Sequence, residues 1–596
     1  MADSPNLDSS DVLKVTITSN GTALPSTAEL ISVEVFKAAN RIPTAWITLL
    51  DGDMPDDDFP VSDTDLFAPG QTIVISAGYG AQVSQIFSGV VVRHGISIRT
   101  GNRAFLKVEC RSPAVKLTIG RNNANYVDMK DSDIISQLIS PCGLSADVTA
   151  TSTQHKEIVQ FYSSDWDFIV ARAEANGMLV IAEDDSIAVK APQTSAAAVL
   201  TVTYGTDLMD FEADIDARTQ LSSVVGAAWD PATQAVVEQT ASQATLYAQG
   251  NLSASALAKV ASPASYRLQS TVALPSADIK SWADARQMKA ALARIRGRMK
   301  FQGSASAKPG AMIELVGVGK RFSGSVYVSA VTHRLGEGNW ITEAEFGMAP
   351  QWFMEDRGGA EELAASGLLP AVGGLQIGVV KKLDADPEGQ YKIQIAIPVL
   401  QASTEGVWAR LASFYGSSGV GAFFIPEIGD EVIVGYFNND PSHPVVLGSL
   451  YSSQHKMPYE LTAENYTKAL WTKGLLKVVF DDEKKVITIV TPANNTIVLS
   501  DDAKSICLTD QNSNKIEMNT SGILLDSPKD IVLNAKGKVT ITAVQNIEST
   551  TQATLQNQAL NIKNNANASF VANGAASAEL SASGQTTVKG AMVMIN

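Results

Sequence analysis

The sequence predicts a mainly β protein of several domains: a duplicated β-barrel domain with a few helices, a small OB-like barrel, and a C-terminal intertwined, trimeric, triangular β-helix. Three observations support this prediction. Short segments alternate apolar and polar residues, which is typical of β-strands. A motif recurs within the first 350 residues, and apolar residues recur every eight positions near the C-terminus. At 596 residues the chain is long enough for about three or four domains.

The first region, residues 1–350, combines strands with a few helices. Lys14–Thr18 and Ala104–Cys110 alternate with a period of two, which predicts half-buried strands. Ser281–Lys300 is rich in Ala, Leu, Met, Arg and Lys, which are good helix formers, and Gly297 comes only near its end. The sequence therefore predicts a helix over 281–300.

An internal repeat lies in the same region. The first copy contains Pro69-Gly70, Ile73, Gly78-Tyr79-Gly80 and Phe87-Ser88-Gly89-Val90, and the second contains Pro309-Gly310, Ile313, Gly317-Val318-Gly319 and Phe322-Ser323-Gly324-Ser325. Each copy predicts a strand, a Gly-rich turn and a second strand. Because the features recur in one order, the sequence favours a duplicated small barrel or sandwich over a chance recurrence of common turn chemistry.

Residues 375–452 predict a compact barrel. Tyr391–Ile397 and Glu431–Phe437 alternate as strands, and Val445–Leu447 follows as a third. Strong turn sequences precede the first of these strands, at Asp384–Gly389, and separate the last two, at Asn438–Pro441. Short strands and tight turns within fewer than a hundred residues fit an OB-like barrel.

The C-terminal region has a different apolar period. Apolar residues recur every eight positions, and a second series follows two residues later over the first three repeats. The first series is Ile523, Ile531, Val539, Ile547 and Leu555, and the second is Leu525, Leu533 and Ile541. A strand of about five residues and a three-residue corner would give this period, with one or two inward apolar groups per repeat.

A single chain with so few inward groups cannot bury a core. Three chains wound together would bring the apolar residues onto a common axis and pair their strand edges with neighbouring chains. We therefore expect these eight residues to form the core of a homotrimeric needle. A monomeric β-solenoid would need turns of about 20 residues or more, and a disordered tail would not keep an eight-residue phase.

The search for catalytic chemistry gives only weak candidates. The five histidines form no HExxH motif and no close pair, and no pair of carboxylates stands out. Val318–Arg321 resembles the end of a phosphate-binding loop, but it lacks the required Gly and Ser/Thr, so a hairpin turn is favoured. The acidic cluster Asp51–Asp58 lacks the ligand order of a calcium loop and predicts a solvated loop or a contact with a basic partner. The sequence therefore predicts no enzyme, no cofactor and no metal site.

The net charge, the cysteine count and the length of the apolar runs argue against several other classes of protein. The net charge of −16 argues against a protein that binds nucleic acid. Cys110, Cys142 and Cys507 are odd in number and far apart, so we expect small buried residues in a reducing compartment rather than disulfides. The N-terminus lacks the segments of a signal peptide, and no run approaches the roughly 18 apolar residues of a membrane span. We expect synthesis in the cytoplasm and export by another route.

Three segments resemble one known family. Gly419–Val434 and its continuation Asn439–Tyr451 are similar to the central signature of the valine–glycine repeat (VgrG) spike proteins. Ser164–Gly177 resembles a helix that recurs in the N-terminal hub domain of the same family. The resemblance covers essentially the whole chain in the right order, and the barrel signature is long and specific.

The resemblance implies a fold and a set of partners. The N-terminal domain would be phage-hub-like and the barrel an OB-fold. The protein would be the structural central spike of a contractile injection machine, in type VI secretion, an extracellular particle or a phage-like tail. Its partners would be two further copies of the chain, a hexameric inner-tube protein, baseplate proteins, a PAAR-type tip protein and effector cargo, with only transient contact to a target membrane. The chain would be made in a bacterial cytoplasm and delivered outside the cell within the particle.

These expectations divide the chain into five parts. They are a hub-like, tube-capping domain at 1–350, a linker at 351–374, the OB-fold at 375–452, a connecting segment at 453–480 and the β-helical needle at 481–596. Some members of the family carry an added enzyme domain, for which the roughly 25 residues after Tyr451 leave no room. We expect the last residues to be the docking surface for the tip protein, since an exposed apolar end is costly: Met592, Val593, Met594, Ile595 and Asn596.

Two other hypotheses remain from the sequence. One is a spike-associated cell-wall hydrolase, and the other is a glycan-binding tail fibre. A glycan-binding shaft would be expected to expose clusters of aromatic residues. After Trp471 the shaft contains only Phe480 and Phe570 as aromatics, which disfavours the fibre.

Overall fold

The computed structural model describes residues 3–5, 12–52, 58–80, 82–100, 103–230, 233–244, 246–261, 263–270, 273–356, 364–367, 371–400 and 406–595. The chain divides into two units, Met1–Leu450 and Tyr451–Asn596. Most of the acidic cluster (53–57), much of the linker and Asn596 lie outside the described residues.

The first repeat, residues 13–111, is an antiparallel sheet. Its strands are β1 (Leu13–Ser19), β2 (Thr22–Ala23), β3 (Glu29–Ala38), β4 (Thr44–Leu50), β5 (Thr72–Tyr79), β6 (Gln82–Arg99) and β7 (Arg103–Arg111). They pair in the order β3-β4-β7-β6-β5-β1-β2. The strands predicted over 14–18 and 104–110 are confirmed as parts of β1 and β7. Their inward side chains form one core with Val35, Ile47 and Ile75.

A mixed segment follows the first repeat. Its elements are β8 (Asn122–Lys130), α1 (Asp131–Ile139), β9 (Ser145–Val148), β10 (Gln154–Ser163), α2 (Asp165–Ala175), β11 (Leu179–Ala182) and β12 (Ser186–Lys190). Helix α2 contains the family-like segment. It begins where Ser164 Oγ accepts the Asp167 N–H at 3.1 Å, which satisfies a free helix donor. Its buried face, with Trp166 and Ile169, packs into a separate core.

The second repeat, residues 198–346, carries a long insertion. In chain order its elements are β13 (Ala198–Thr203), β14 (Asp210–Ile215), β15 (Val224–Asp230), β16 (Ala235–Thr240), α3 (Ala254–Ala261), β17 (Tyr266–Ser270), α4 (Ser276–Leu292), β18 (Ile295–Gln302), β19 (Met312–Val316), β20 (Gly324–Gly336) and β21 (Asn339–Phe346). The insertion consists of β15 to α4, in which β15, β16 and β17 form their own sheet.

The two repeats share one topology. Strands β1, β3, β4, β5, β6 and β7 occur along the chain in the same order as β13, β14, β18, β19, β20 and β21. Their pairing orders, β3-β4-β7-β6-β5-β1 and β14-β18-β21-β20-β19-β13, also match strand for strand. The predicted duplication is therefore present, and it covers six strands rather than the two of the sequence motif. One difference is that β1 pairs antiparallel with β5, whereas β13 pairs parallel with β19.

Backbone hydrogen bonds show which residues of the two repeats are equivalent. Gly70 N–H donates to the Val91 carbonyl at 2.9 Å, and Gly310 N–H donates to the Val328 carbonyl at 2.8 Å. Both glycines have positive φ, +101° and +89°, which glycine adopts without the cost of a Cβ. Just after the two valines, β6 and β20 each shift register by one residue against β7 and β21. Val91 and Val328 are thus equivalent.

This register corrects the sequence alignment of the repeats. Gly89 lies opposite Ile73, and Val326 lies opposite Ile313, so Gly89 corresponds to Val326. The sequence motif instead matched Gly89 with Gly324, two residues away. The hairpin of the first repeat contains a bulge that the second lacks, and a two-residue offset preserves the side-chain alternation of a strand.

The helix predicted over 281–300 is wrong at both ends. Helix α4 begins at Ser276 and ends at Leu292, and Ile295–Gln302 forms strand β18. Strand β18 lies between β14 and β21, and its Met299 and Phe301 are buried. Pairing on both edges and burial of the alternate side chains override the helix propensity of this segment.

Strand β20 joins the two repeats. Residues 330–336 pair antiparallel with β3, on the edge opposite β21. His333 is buried at this junction, with Nδ1 3.0 Å from Thr342 Oγ1 and 3.4 Å from the indole Nε1 of Trp340. Burial, and secondarily the charge of Lys37, lowers the pKa of His333 to about 3.

We expect this histidine to make the protein less stable in mild acid. Unfolded chains bind a proton at His333 below about pH 6.5, whereas the folded chain does so only near pH 3, so stability is lost as the pH falls through this window. At pH 5 the loss relative to pH 7 is about 2 kcal/mol. Urea unfolding of the His333→Gln variant, which keeps a hydrogen-bond acceptor but does not titrate, should show a correspondingly smaller loss. Equal losses in both proteins would contradict the prediction.

The OB-like domain forms a closed barrel, as predicted. After helix α5 (Phe353–Asp356), its strands are β22 (Gln376–Lys382), β23 (Ile393–Ala396), β24 (Val407–Leu411), β25 (Gly416–Ser417), β26 (Val420–Gly421), β27 (Glu431–Tyr436) and β28 (Pro444–Ser449). The barrel closes in the order β22-β23-β24-β28-β27. The predicted turn before β23 is organised by Asp386, whose carboxylate accepts the N–H groups of Glu388, Gln390 and Lys392.

The second unit contains one antiparallel meander. Its strands are β29 (Thr467–Trp471), β30 (Lys477–Asp481), β31 (Val486–Val490), β32 (Thr496–Ser500), β33 (Ser505–Thr509), β34 (Lys515–Asn519) and β35 (Gly522–Asp526). Each strand pairs with the next along the chain. From β30 to β34 each strand starts nine or ten residues after the one before, so this sheet precedes the eight-residue period. Beyond β35 the described residues form no further strand within the single chain.

Candidate assembly surfaces

One face of the meander carries two continuous apolar rows. Because side chains two residues apart share a face of a strand, the cross-strand register defines both rows. We call this the apolar face. Its first row is Val478, Ile489, Ile497, Leu508, Ile516 and Leu525, and its second row is Phe480, Ile487, Leu499, Ile506, Met518 and Ile523.

The apolar face is uncovered in the single chain. Ile489 is 39% exposed and Ile497 is 37% exposed, whereas Thr488 and Val498 on the other face are less exposed. In an ordinary sheet of a folded domain the apolar side is the buried one. The distribution is inverted here, which is typical of a surface that another chain covers.

The turns of the meander are held by short polar side chains. Asp510 accepts the N–H groups of Asn512 and Asn514, each at 2.8 Å, and hydrogen bonds from Asn514 lower the pKa of its carboxyl. Asn494 and Ser513 occupy the left-handed region, with φ of +64° and +68°. These local bonds fix the hairpins without a hydrophobic core on either side of the sheet.

The predicted needle core and tip are also uncovered in the single chain. The eight predicted core residues are between 50% and 74% exposed, and those beyond β35 lie outside any strand. At the C-terminus, Met592, Val593, Met594 and Ile595 are 80%, 48%, 80% and 91% exposed. Asn596 lies outside the described residues. The single chain therefore leaves both predicted surfaces available, and their roles stay predictions.

The hub contains a charged cluster beside a cavity of about 770 Å³. Asp131 is buried and accepts two hydrogen bonds from Arg172, at 2.7 and 2.9 Å, and one from Asn176 at 2.8 Å. His155 Nε2 lies 3.1 Å from the same carboxylate. Burial raises the pKa of Asp131, but the bonds and charge of these partners outweigh it and hold the pKa below its usual range. The carboxylate is thus fixed in its ionised form, as in a structural ion pair.

Other sequence candidates prove structural. Val318–Arg321 lies in the turn between β19 and β20, as the hairpin interpretation predicts. Asp51 is buried and accepts the N–H groups of Val61 and Ser62, so it orders its own loop. Cys110 and Cys142 are buried, as expected, whereas Cys507 is only half-buried; burial raises the pKa of the Cys110 thiol to about 12.

The described ranges contain neither a metal-binding cluster nor a membrane-spanning helix. Within them no group of three or more His, Cys, Asp or Glu side chains is placed to hold a metal ion. Also within those ranges, none of the helices combines the length and the apolar character needed to cross a membrane.

A duplicated β hub, a closed barrel and a sheet with an uncovered apolar face define a protein built for self-assembly. The chain belongs to the family described as the Alg8 N-terminal domain, whose model matches residues 9–337, more than half of the sequence. Residues 376–451 match the type VI secretion system/phage-baseplate injector OB domain. Residues 486–548 match the phage baseplate V C-terminal trimerisation domain.

Curated relatives confirm the resemblance to VgrG spike proteins. The type VI secretion system spike protein VgrG5 of Pseudomonas aeruginosa is 35% identical over 109 residues, 17% of this chain and 14% of the relative. VgrG1c of the same organism is 31% identical over 129 residues, 20% of this chain and 18% of the relative. VgrG3 of Vibrio cholerae is 29% identical over 126 residues, 19% and 12% of the two chains. The matched segments thus span less than a fifth of these relatives.

Solved structures with a similar chain course include two tail-related proteins. A 43 kDa tail protein of a Shewanella oneidensis prophage covers 57% of this chain and 98% of its own, at 9% identity and a TM-score of 0.43. An Escherichia coli component of the type VI secretion system covers 73% of this chain and 99% of its own, at 12% identity and a TM-score of 0.37.

Apart from Ile523 and Leu525, the residues of the two apolar rows were not predicted from the sequence. The predicted needle core begins at Ile523 and follows eight-residue intervals, whereas the apolar face already begins in β30. The signal was present in pairs such as Ile487 and Ile489, or Ile497 and Leu499, which alternate as strands do. Their spacing varies between strands, so a search for one fixed period does not find them.

Proposed function

We propose that this protein is the homotrimeric central spike of a contractile injection machine, which caps the inner tube, connects to the baseplate and pierces a target envelope with a tip protein on its end. One observation carries the proposal: the apolar face is uncovered in the single chain, and most of it lies within the residues that match a trimerisation domain. The curated relatives are themselves described as spike proteins.

Burial of the apolar face provides the driving force for the trimer. Each fully buried Val, Leu, Ile, Phe or Met side chain contributes about 1.5–3 kcal/mol, and twelve such positions per chain occupy the two rows. Three copies also remove the free strand edges that a single meander leaves. The eight-residue series would continue the same shaft to the C-terminus, with Met592–Asn596 as the docking surface for the tip protein.

The N-terminal domains of a trimer match the symmetry of a six-fold tube. Each chain carries two repeats of one topology, so three chains present six similar units. We propose that residues 1–350 cap a hexameric inner-tube ring in this way, that 351–374 is a linker, and that 453–480 connects the barrel at 375–452 to the needle at 481–596. In this proposal the spike acts as a rigid body and catalyses no reaction. The contracting machine supplies the work of penetration.

The test is the absolute mass in solution, measured by light scattering. We expect the full chain at about three times 63.1 kDa. A chain that ends near Lys473 lacks the apolar face and should associate far more weakly. Deletion of Ser521–Asn596 alone should leave most of the face but abolish delivery by the assembled particle. A monomeric full chain would contradict the trimer, and normal delivery by the deletion would contradict the piercing role.

A further inference from the structure

The cavity of about 770 Å³ in the N-terminal hub lies between the mixed segment and the insertion of the second repeat. One wall is formed by residues 154–158 of β10. The opposite wall is formed by Gln269 and Ser270 of β17, together with the start of α4. A volume of this size is in the range of pockets that bind ligands.

The backbone of β10 borders the cavity along one edge. Alternate side chains of a strand point to opposite faces, so five consecutive residues on one wall, 154–158, mean that the strand turns its edge towards the cavity. Within the described chain β10 pairs only with β8, and β17 pairs only with β15. The cavity therefore lies between two strand edges that continue into no further ladder. An open edge of this kind accepts an additional extended strand.

One carboxylate at this cavity lacks a compensating cation. Asp131 is paired with Arg172 at 2.7 Å, whereas the nearest ionisable partner of Asp278 is Nδ1 of His155, at 3.7 Å and beyond hydrogen-bond distance. A neutral imidazole has a single N–H, and Nε2 of His155 directs it to Asp131 at 3.1 Å. Asp278 thus faces an unprotonated nitrogen and keeps its capacity to accept bonds from a ligand.

Glu157 adds a second negative charge at the rim. Its carboxylate accepts a hydrogen bond from Asn125 Nδ2 at 2.8 Å, and within the described ranges it forms no ion pair. The adjacent Lys156 is directed to the other face of β10 and is compensated by Asp128, 2.8 Å away. The charges that remain uncompensated at the cavity are therefore negative and favour a positively charged ligand.

The other lining groups suit a long basic side chain. Ile158, Leu274 and Trp282 line the cavity and are half-buried. The apolar groups can pack against the methylene stem of an Arg or Lys, and an indole ring attracts the charged head of such a side chain. The open backbone edge, the free carboxylate and the apolar wall together fit a peptide rather than a small anion.

We propose that this cavity binds an extended, basic segment of a partner protein, which adds to the open edge of β10 and directs an Arg or Lys side chain towards Asp278. Five residues of a strand span about 17 Å, so a segment of five or six residues covers the edge. This interaction involves the N-terminal hub alone and goes beyond the proposed function, since it requires neither the trimer nor the tube.

Fluorescence anisotropy with the full-length chain tests the charge requirement. The probe is a labelled hexapeptide, Thr-Val-Arg-Val-Thr-Val, which alternates as a strand does, and a second peptide carries Glu in place of Arg. We expect the Arg peptide to bind at least about tenfold more tightly, because Asp278 attracts the one and repels the other. In Asp278→Asn the preference should fall to about twofold. Equal affinities in the unchanged protein, or no binding of either peptide, would overturn the proposal.

Asp284→Asn is the matched control on the same helix. Asp284 pairs with Lys280 and does not line the cavity, so this variant removes one negative charge elsewhere on α4. It should keep the full preference for the Arg peptide. If Asp278→Asn and Asp284→Asn reduce the preference equally, the net charge of the chain selects the peptide, and the proposed site is wrong.

N-methylated peptides test the addition of a strand. Successive N–H groups of a strand point to opposite edges, so methylation of alternate residues in the Arg peptide blocks one edge only. Of the two possible sets, the one that faces β10 should weaken binding by more than about tenfold, and the other should change it little. If both methylated peptides bind with the same affinity, the peptide does not pair with β10.

Light scattering separates this interaction from self-assembly. A loss of mass in Asp278→Asn would identify a second copy of the chain as the occupant and overturn the proposal. A trimeric full chain that binds neither peptide would overturn the peptide site and leave the proposed function intact. A monomeric full chain that prefers the Arg peptide would support the site and contradict the trimer.

Discussion

Replacement of Ile497 by Asp is expected to dissociate the trimer. Ile497 lies at the middle of the first apolar row, between Ile489 and Leu508 on the neighbouring strands. In a trimer the substitution places three carboxylates in a closed apolar interior. Each buried and unpaired charge costs several kcal/mol, so the association constant should fall by several orders of magnitude. Light scattering should show the mass falling from about three times 63.1 kDa towards that of one chain.

Val498→Asp is the matched control. Val498 is adjacent on the same strand and lies on the other face, with Thr488 and Cys507 on the neighbouring strands. The same charge is introduced at the same height along the sheet, but outside the apolar face. We expect this variant to remain a trimer at the protein concentrations that dissociate Ile497→Asp. If both substitutions, or neither, dissociate the assembly, the apolar face is not the trimer core.

Truncation of Glu174 to Ala is expected to destabilise the hub by about 3–5 kcal/mol, since it leaves a buried cation without its partner. Glu174 and Lys289 are 5% and 9% exposed, and their charged atoms lie 2.5 Å apart. The second carboxylate oxygen accepts the Phe353 N–H at 2.7 Å. The pair therefore ties helix α2 to helix α4 and to the segment that follows the second repeat. Urea unfolding of the full chain measures the loss.

Two further variants separate the ion pair from packing. Lys289→Met removes the buried cation but keeps an unbranched chain of similar length, so combining it with Glu174→Ala should restore part of the lost stability. Lys156→Ala breaks the exposed pair with Asp128, which lies 2.8 Å away, and should leave the unfolding midpoint unchanged. Similar losses from Glu174→Ala and Lys156→Ala would contradict a special role for the buried pair.

The barrel and the short strands follow from local sequence. Alternation of apolar and polar residues locates β1, β7 and the barrel strands, because a strand that buries one face must alternate. Turn residues such as Asp386 act through bonds to their own neighbours, so their role is visible without tertiary information. The two-strand motif also indicates the duplication, since both glycines serve a positive-φ turn that has few alternatives.

Tertiary structure decided the features that depend on distant partners. The segment 295–300 has residues that suit a helix, yet two neighbouring strands and two buried side chains make it β18. The extent of each repeat could not be found by periodicity, because a 79-residue insertion (216–294) separates β14 from β18 while the strand order is kept. The apolar face likewise requires the register of five hairpins, which the uneven local spacing of the strands leaves undefined.

The sequence by itself determined the β class, the presence of a duplication, the closed barrel and the need of the C-terminal region for other chains. Composition and periodicity are sufficient to predict these features, because they determine how much apolar surface each segment can bury by itself. Only the tertiary structure decided which strand edges and which face remain open. That outcome depends on pairings between residues hundreds of positions apart, such as β20 with β3, whose energy is not a property of either segment alone.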